Sequence, residues 1–175
     1  MQKNPEYTRS DDGQNGWNMF FSLMFVLLCA GSAWVIYRLY GVLPNAVPPF
    51  DALIMVLAVF RLTRLFVYEK ITRFLREWFM NREVMTTPEG TSFAFYKPER
   101  GMKRTFNDLL GCPWCVGVWA TLPVVFGYYM FSWSWYILLI LAVSGVATLV
   151  QLTANLIGWK AELGKLEAGR LSNKN

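Results

Sequence analysis

Three stretches of the chain run without a charged residue for long enough to cross a bilayer: Trp17 to Tyr37 (21 residues), Pro113 to Phe131 (19) and Trp133 to Ile157 (25). A spanning helix needs roughly 20 apolar residues at about 1.5 Å rise each. A fourth stretch, Phe50 to Tyr68, has 19 residues and holds Asp51, Arg61 and Arg64; it reads as a fourth span with a charged cytoplasmic end. Backbone in lipid must satisfy its own polar groups, so these spans are expected to be helices. At about 100° per residue, Arg61, Arg64, Tyr68, Thr72 and Arg76 fall on one stripe, and Phe60, Val67, Ile71, Phe74 and Trp78 on another. That predicts an amphipathic helix that leaves the bilayer and leans along its inner surface. Residues 81–104 form a long polar connection, in which 84–87 and 92–96 flank a Pro-Glu-Gly-Thr turn signal for a short hairpin. Thr105 to Leu110 reads as a short helix closed by Gly111. The expected fold is an all-α polytopic membrane protein: four transmembrane helices with a cytoplasmic cap of amphipathic helix and loop. It divides into a polar tail (1–16), a first span with its connection (17–49), a three-span membrane domain that includes the 81–104 loop (50–157), and a cytoplasmic tail (158–175).

Charge sets the orientation. Lys and Arg concentrate on the cytoplasmic side of membrane proteins. The 69–108 connection holds eight of them, the 160–175 segment four, and the first 16 residues Lys3 and Arg9, whereas the 38–49 connection holds only Arg38. Four spans with both termini cytoplasmic place every basic segment on one side, as expected of a multi-pass protein of the cell's inner or cytoplasmic membrane. The polar, slightly acidic leader and the long apolar run after it are unlike a signal peptide, so the first span reads as retained. The net charge of +5 then reflects the positive-inside bias and anionic headgroups; a nucleic-acid partner is not expected. Trp17, Trp34, Tyr37, Tyr40, Trp78, Trp133, Trp135, Tyr136 and Trp159 fall at expected span ends as an interfacial belt.

Composition narrows the chemistry. The chain is 54% hydrophobic and 17% charged, and it has no histidine, against about 25% charge in soluble domains. The absence of histidine excludes a Ser-His-Asp hydrolase and any histidine-ligated zinc or haem site. The acids are scattered, and no phosphate-binding loop occurs. Arg64 lies about 6 Å inside Tyr68, within snorkelling reach, and Arg61 about 10 Å inside. Two readings stay open: snorkelling arginines that fix topology, or an Arg61 that faces the bundle and pairs with a carboxylate, for which Asp108 is the best candidate on the same side. Small residues such as Gly117, Gly127 and Gly145 let helices approach, and Gln151, Thr153 and Asn155 can hydrogen-bond across a bundle.

Cys112-Pro113-Trp114-Cys115 is the one chemically loaded motif. Pro113 suits the first turn of a helix, which puts Cys112 at or near its N-cap, where the positive helix end lowers a thiol pKa. Three readings compete. The cysteines are small structural residues at the start of span three; or they are a redox pair, transient because cytoplasmic thiols are kept reduced; or they are half of a four-thiolate zinc site. One chain cannot complete that site, so Cys112 and Cys115 hold zinc only if it is shared between two chains. No cofactor is otherwise expected.

Phe60-Arg61-Leu62-Thr63-Arg64-Leu65, followed by Leu109-Leu110-Gly111-Cys112-Pro113-Trp114-Cys115-Val116-Gly117-Val118-Trp119 and Leu141-Ala142-Val143-Ser144-Gly145, resembles the family catalogued as domain of unknown function 1360 over roughly residues 50–157. Its members are small bacterial and phage membrane proteins, some labelled sporulation proteins, with no established reaction. The resemblance implies that Arg61, Arg64, Cys112, Pro113, Cys115, Gly117 and Trp119 belong to the family motif. The first span and the 81–104 insertion are departures from it, which suggests an extra docking surface. The resulting expectation is a non-enzymatic membrane component that assembles with itself or with a membrane-protein partner, in a phage- or sporulation-type envelope structure. A thiol redox or metal-binding device centred on the cysteines is the alternative, and a small channel or holin-like pore is a third.

Overall fold

The structure, a computed structural model, describes residues 12–42, 46–87 and 90–172. The polar leader through residue 11 and the Pro88-Glu89 turn lie outside them. The helices are α1 (Asp12–Tyr40), α2 (Pro49–Tyr68), α3 (Arg73–Trp78), α4 (Met102–Gly111), α5 (Pro113–Met130) and α6 (Ser134–Ser172); a 3-10 turn, Lys70–Thr72, joins α2 to α3. Strands β1 (Asn81–Thr87) and β2 (Gly90–Tyr96) form one antiparallel hairpin with Val84 opposite Phe93. The fold is thus all-α apart from the hairpin.

Two helical segments are long and apolar enough to cross a membrane, Gly13–Tyr40 and Ser134–Arg170. A third joins them if α4 and α5, bent by 92° at Cys112, are counted as one broken span. The α2 helix has the length but carries Asp51, Arg61 and Arg64 within its 20 residues, so composition does not mark it as apolar.

The α2 helix is nevertheless the centre of the molecule. Ile54, Met55 and Ala58 from α2, Val124 from α5, and Leu138 and Ala142 from α6 form one buried cluster. Ala58 is fully buried, and Gly145 on α6 faces the Leu57 carbonyl so closely that an added Cβ would lie 2.8 Å from the oxygen. Small residues at this crossing let the two helix backbones approach closely. At the N-terminal end of α2, Asp51 ties the three helices: the Tyr128 hydroxyl donates to Oδ2 at 2.5 Å and the Trp135 indole to Oδ1 at 3.3 Å.

One expectation is corrected. The stripe from Arg61 to Arg76 does not ride one continuous helix. The α2 helix ends at Tyr68, and Glu69 is extended (φ −82°, ψ 147°). The break is satisfied from downstream: the Thr72 hydroxyl donates to the Leu65 carbonyl, and the Arg76 guanidinium reaches the carbonyls of Phe66 (3.4 Å) and Glu69 (3.0 Å). These are the orphan acceptors a helix end leaves. The α6 helix extends past the apolar run that ends at Ile157. It runs through Ser172, so the segment read as a tail continues the helix, which at 39 residues is about 58 Å long.

The α1 helix attaches to α4 and α5. The Gln14 amide donates to Thr105 (2.7 Å), the Thr105 hydroxyl to Asn18 (3.1 Å), and the Gly101 N–H to the Gln14 oxygen (3.1 Å). Gly101 sits at φ +91°, the left-handed region that favours glycine, and this aims its N–H at α1. Phe106 lies between Phe21 and Phe79, with both ring centroids at 4.7 Å, so α4 is wedged between α1 and the end of α3.

Candidate functional site

The site residues expected from the sequence fall at two places. The first is the corner where α4 meets α5. The Cys112 N–H donates to the Leu109 carbonyl (3.2 Å) at the end of α4, and its own carbonyl accepts from Val116 (3.0 Å) at the start of α5. Cys112 is the N-cap of α5 with Pro113 at the first helical position, as the spacing predicts. Its sulfur accepts the Cys115 N–H at 3.3 Å and lies 2.7 Å from the Cys115 sulfur. Both thiols are free. The Cys115 thiol and backbone N–H, both donating to it, hold Cys112 below the usual thiol range, because they stabilise its thiolate.

The two thiols open on a groove of about 710 Å³ between α1, α4 and α5. Asn18 and Phe25 line it from α1, Asp108 from α4, and Trp114 and Trp119 from α5. Trp119 packs on Phe25 at 5.1 Å, whereas Gly117 faces α2, where an added Cβ would stand 3.5 Å from the Thr63 hydroxyl. Eight residues, Cys112 to Trp119, therefore present thiols to the groove, a glycine to α2 and an indole to α1. No group of three or more His, Cys, Asp or Glu able to hold a metal occurs among the described residues. Cys29, on α1, is not part of this groove.

The second place is the C-terminal end of α2 against α6. Arg61 forms an ion pair with Glu69 and donates to the Thr148 hydroxyl at 3.2 Å. Arg64 lies with its Cζ 4.9 Å over the Tyr68 ring, and its Nε is buried without a partner. With Gln151 and Asn155 these residues line an open pocket of about 460 Å³. Asp108 does not meet the arginines. It pairs with Lys97 and, at 3.8 Å, with Arg104, and it faces the thiol groove instead. Glu69 is the carboxylate that sequence reasoning missed. Its signal was its place, eight residues after Arg61, as the first acid beyond the α2 stretch.

A family model described as a protein of unknown function (DUF1360) matches residues 54–154. The chain belongs to this family. Within DUF1360, it is 31% identical over 101 residues to the UPF0713 protein YngL of Bacillus subtilis (strain 168), covering 57% of this chain and 74% of YngL. It is 30% identical over 97 residues to the sporulation protein YjcA of the same organism, covering 54% of this chain and 82% of YjcA. No solved structure matches. The DUF1360 match holds both arginines, both motif cysteines and the hairpin, and it leaves α1 and the last part of α6 outside. The α1 wall of the thiol groove is therefore built from residues beyond the matched segment.

Proposed function

We propose that this chain is a non-enzymatic, four-span membrane component, with both termini cytoplasmic, that assembles with a second copy of itself along α6. In this reading α2 is a span whose charges are satisfied by the bundle: Asp51 by Tyr128 and Trp135 at one end, Arg61 by Glu69 and Thr148 at the other. One observation carries the assembly. Leu138, Ala142 and Gly145, which pack α6 on α2, continue at the same alternating spacing of three and four through Leu149, Leu152, Leu156, Trp159, Leu163 and Leu166. That is the seam of a helix pair, and from Leu149 onward it is exposed. Past Ile157 this seam projects beyond a span of ordinary length, so lipid does not cover it. The relative YjcA is named a sporulation protein, which supports sporulation as one setting.

Replacing Leu163 and Leu166 together with glutamate is expected to convert the assembled form to single chains. Photobleaching steps of labelled protein in vesicles give the count, and helix content by circular dichroism stays unchanged because both side chains are exposed. Single-copy behaviour of the unaltered chain at high protein-to-lipid ratio overturns the reading.

A second reading, a thiol redox device, is favoured by the adjacency of the two sulfurs at a helix N-cap. A low-pKa thiolate is the form that reacts, so Cys112 is expected to be alkylated by iodoacetamide at lower pH than an ordinary thiol. Removing its donor in Cys115→Ala shifts that profile to higher pH. Peptide mass spectrometry across neutral pH reads both. A profile for Cys112 that Cys115→Ala leaves unmoved removes the support for this reading.

A further inference from the structure

The pocket between the end of α2 and α6 has a feature that packing alone leaves unexplained. It gathers two guanidinium groups and one carboxylate, so one positive charge has no protein counter-charge. Arg61 is the compensated one, held by Glu69 and Thr148. Arg64 is not: it lies against the Tyr68 ring, and its Nε is buried without an acceptor. The ring supplies no hydrogen-bond acceptor in place of water. A buried donor left in that state is costly, and an ionisable side chain among spans is expected to serve a pathway or a ligand. Across the pocket, the Gln151 amide donates to the Asn155 oxygen at 3.0 Å, which leaves the Asn155 nitrogen as the free donor of that side chain.

We propose that this pocket binds a phosphate group presented at headgroup depth, with Arg64 as its main ligand and the Asn155 amide as a second donor. A planar guanidinium with open N–H groups matches two phosphate oxygens at once, and basic pockets between spanning helices hold anionic headgroups. Glu69 keeps Arg61 out of direct contact and so limits the site to a single excess charge, which suits a headgroup of net charge −1, whose phosphodiester no ammonium neutralises, better than a zwitterionic or a more highly charged one. The depth follows from the four-span reading, on which this inference rests: Arg64 lies one turn, about 6 Å, inside Tyr68.

The test uses the full chain in nanodiscs of mixed phosphatidylglycerol and phosphatidylcholine, with retained lipid counted by native mass spectrometry. The unaltered protein is expected to retain phosphatidylglycerol preferentially, and Arg64→Gln to lower that preference about fivefold, the size of one Lys/Arg contact with an anionic lipid. Asn155→Leu, at an exposed position on α6, lowers it as well without touching the α2 packing. Lys165→Gln, which removes a charge elsewhere on α6, leaves it unchanged. Thermal stabilisation by inorganic phosphate in phosphatidylcholine discs, lost in Arg64→Gln, assigns the same site to free phosphate. No lipid preference together with no phosphate effect overturns the proposal, as does an equal loss in Lys165→Gln. Failure of the four-span reading is separable. With the native cysteines replaced by serine, a cysteine substituted for the exposed Val56 in mid-α2 is expected to resist a membrane-impermeant maleimide. Labelling there overturns the span, whereas protection with no lipid preference overturns only the site.

Discussion

Gly145→Leu is expected to destabilise the bundle by about 1–3 kcal/mol. The Cβ of any other residue there would stand 2.8 Å from the Leu57 carbonyl oxygen and 3.5 Å from its carbon, and both are backbone atoms. A flexible side chain could turn aside, but the α2 backbone moves only with the helix. Ala58, fully buried on α2, and Ala142 on α6 lie in the same contact, so the crossing is close for several residues on both sides. Overpacking of this kind costs about 1–3 kcal/mol and occasionally more, which outweighs the gain of up to about 1 kcal/mol in helix propensity when glycine is replaced. Separation of α2 and α6 also draws the Thr148 hydroxyl away from Arg61, because Arg61 Cβ itself lies 3.6 Å from the added atom. Gly158→Leu on the same helix is the control, since a Cβ there meets nothing within 4 Å. Reversible unfolding in mild detergent, read by Trp fluorescence, compares the two. Equal midpoints would mean that the α2–α6 crossing does not hold the bundle.

How much of this was legible depends on the range over which each feature is decided. The N-cap at Cys112 was readable because Pro113 and the helix it opens are adjacent in sequence. The hairpin was readable from its turn residues for the same reason. The end of α2 was not. Arg61, Arg64, Tyr68, Thr72 and Arg76 keep helical periodicity straight through Glu69, and the break is decided by Thr72 and Arg76 folding back onto the carbonyls of Leu65, Phe66 and Glu69. Periodicity carries no trace of that return. The full length of α6 is not legible from hydropathy, because two signals part at Lys160. Hydropathy falls there and ends the apolar run, while Ala161, Glu162, Leu163, Lys165, Leu166, Glu167 and Ala168 remain strong helix formers. Asp108 is the best candidate partner of Arg61 in the sequence because both fall on the expected cytoplasmic side. Side alone does not choose between carboxylates, and the 92° corner between α4 and α5 carries Asp108 to the thiol groove instead.

Removing the true partner is the second large effect expected. In Glu69→Ala the Arg61 guanidinium, with its side chain 18% exposed, keeps only the neutral Thr148 hydroxyl at 3.2 Å. Loss of one member of a fully buried pair costs about 3–5 kcal/mol, chiefly because the remaining charge stays desolvated and unpaired. The Glu69 side chain is 31% exposed, so water reaches part of this pair, and a loss of about 1–3 kcal/mol is expected. The turn itself is expected to survive, because Thr72 and Arg76 hold the Glu69 carbonyl and not its carboxylate. Charge and shape are then separable by a double-mutant cycle. Arg61→Leu with Glu69→Ala removes both charges, and replacing an ion pair by apolar side chains is often neutral, so the double variant is expected to recover most of the stability that Glu69→Ala loses. Denaturant midpoints of the single and double variants give the coupling. A double variant as unstable as Glu69→Ala would put the loss in the turn at residue 69, and the pair would then be a consequence of where the chain bends instead of a cause of its stability.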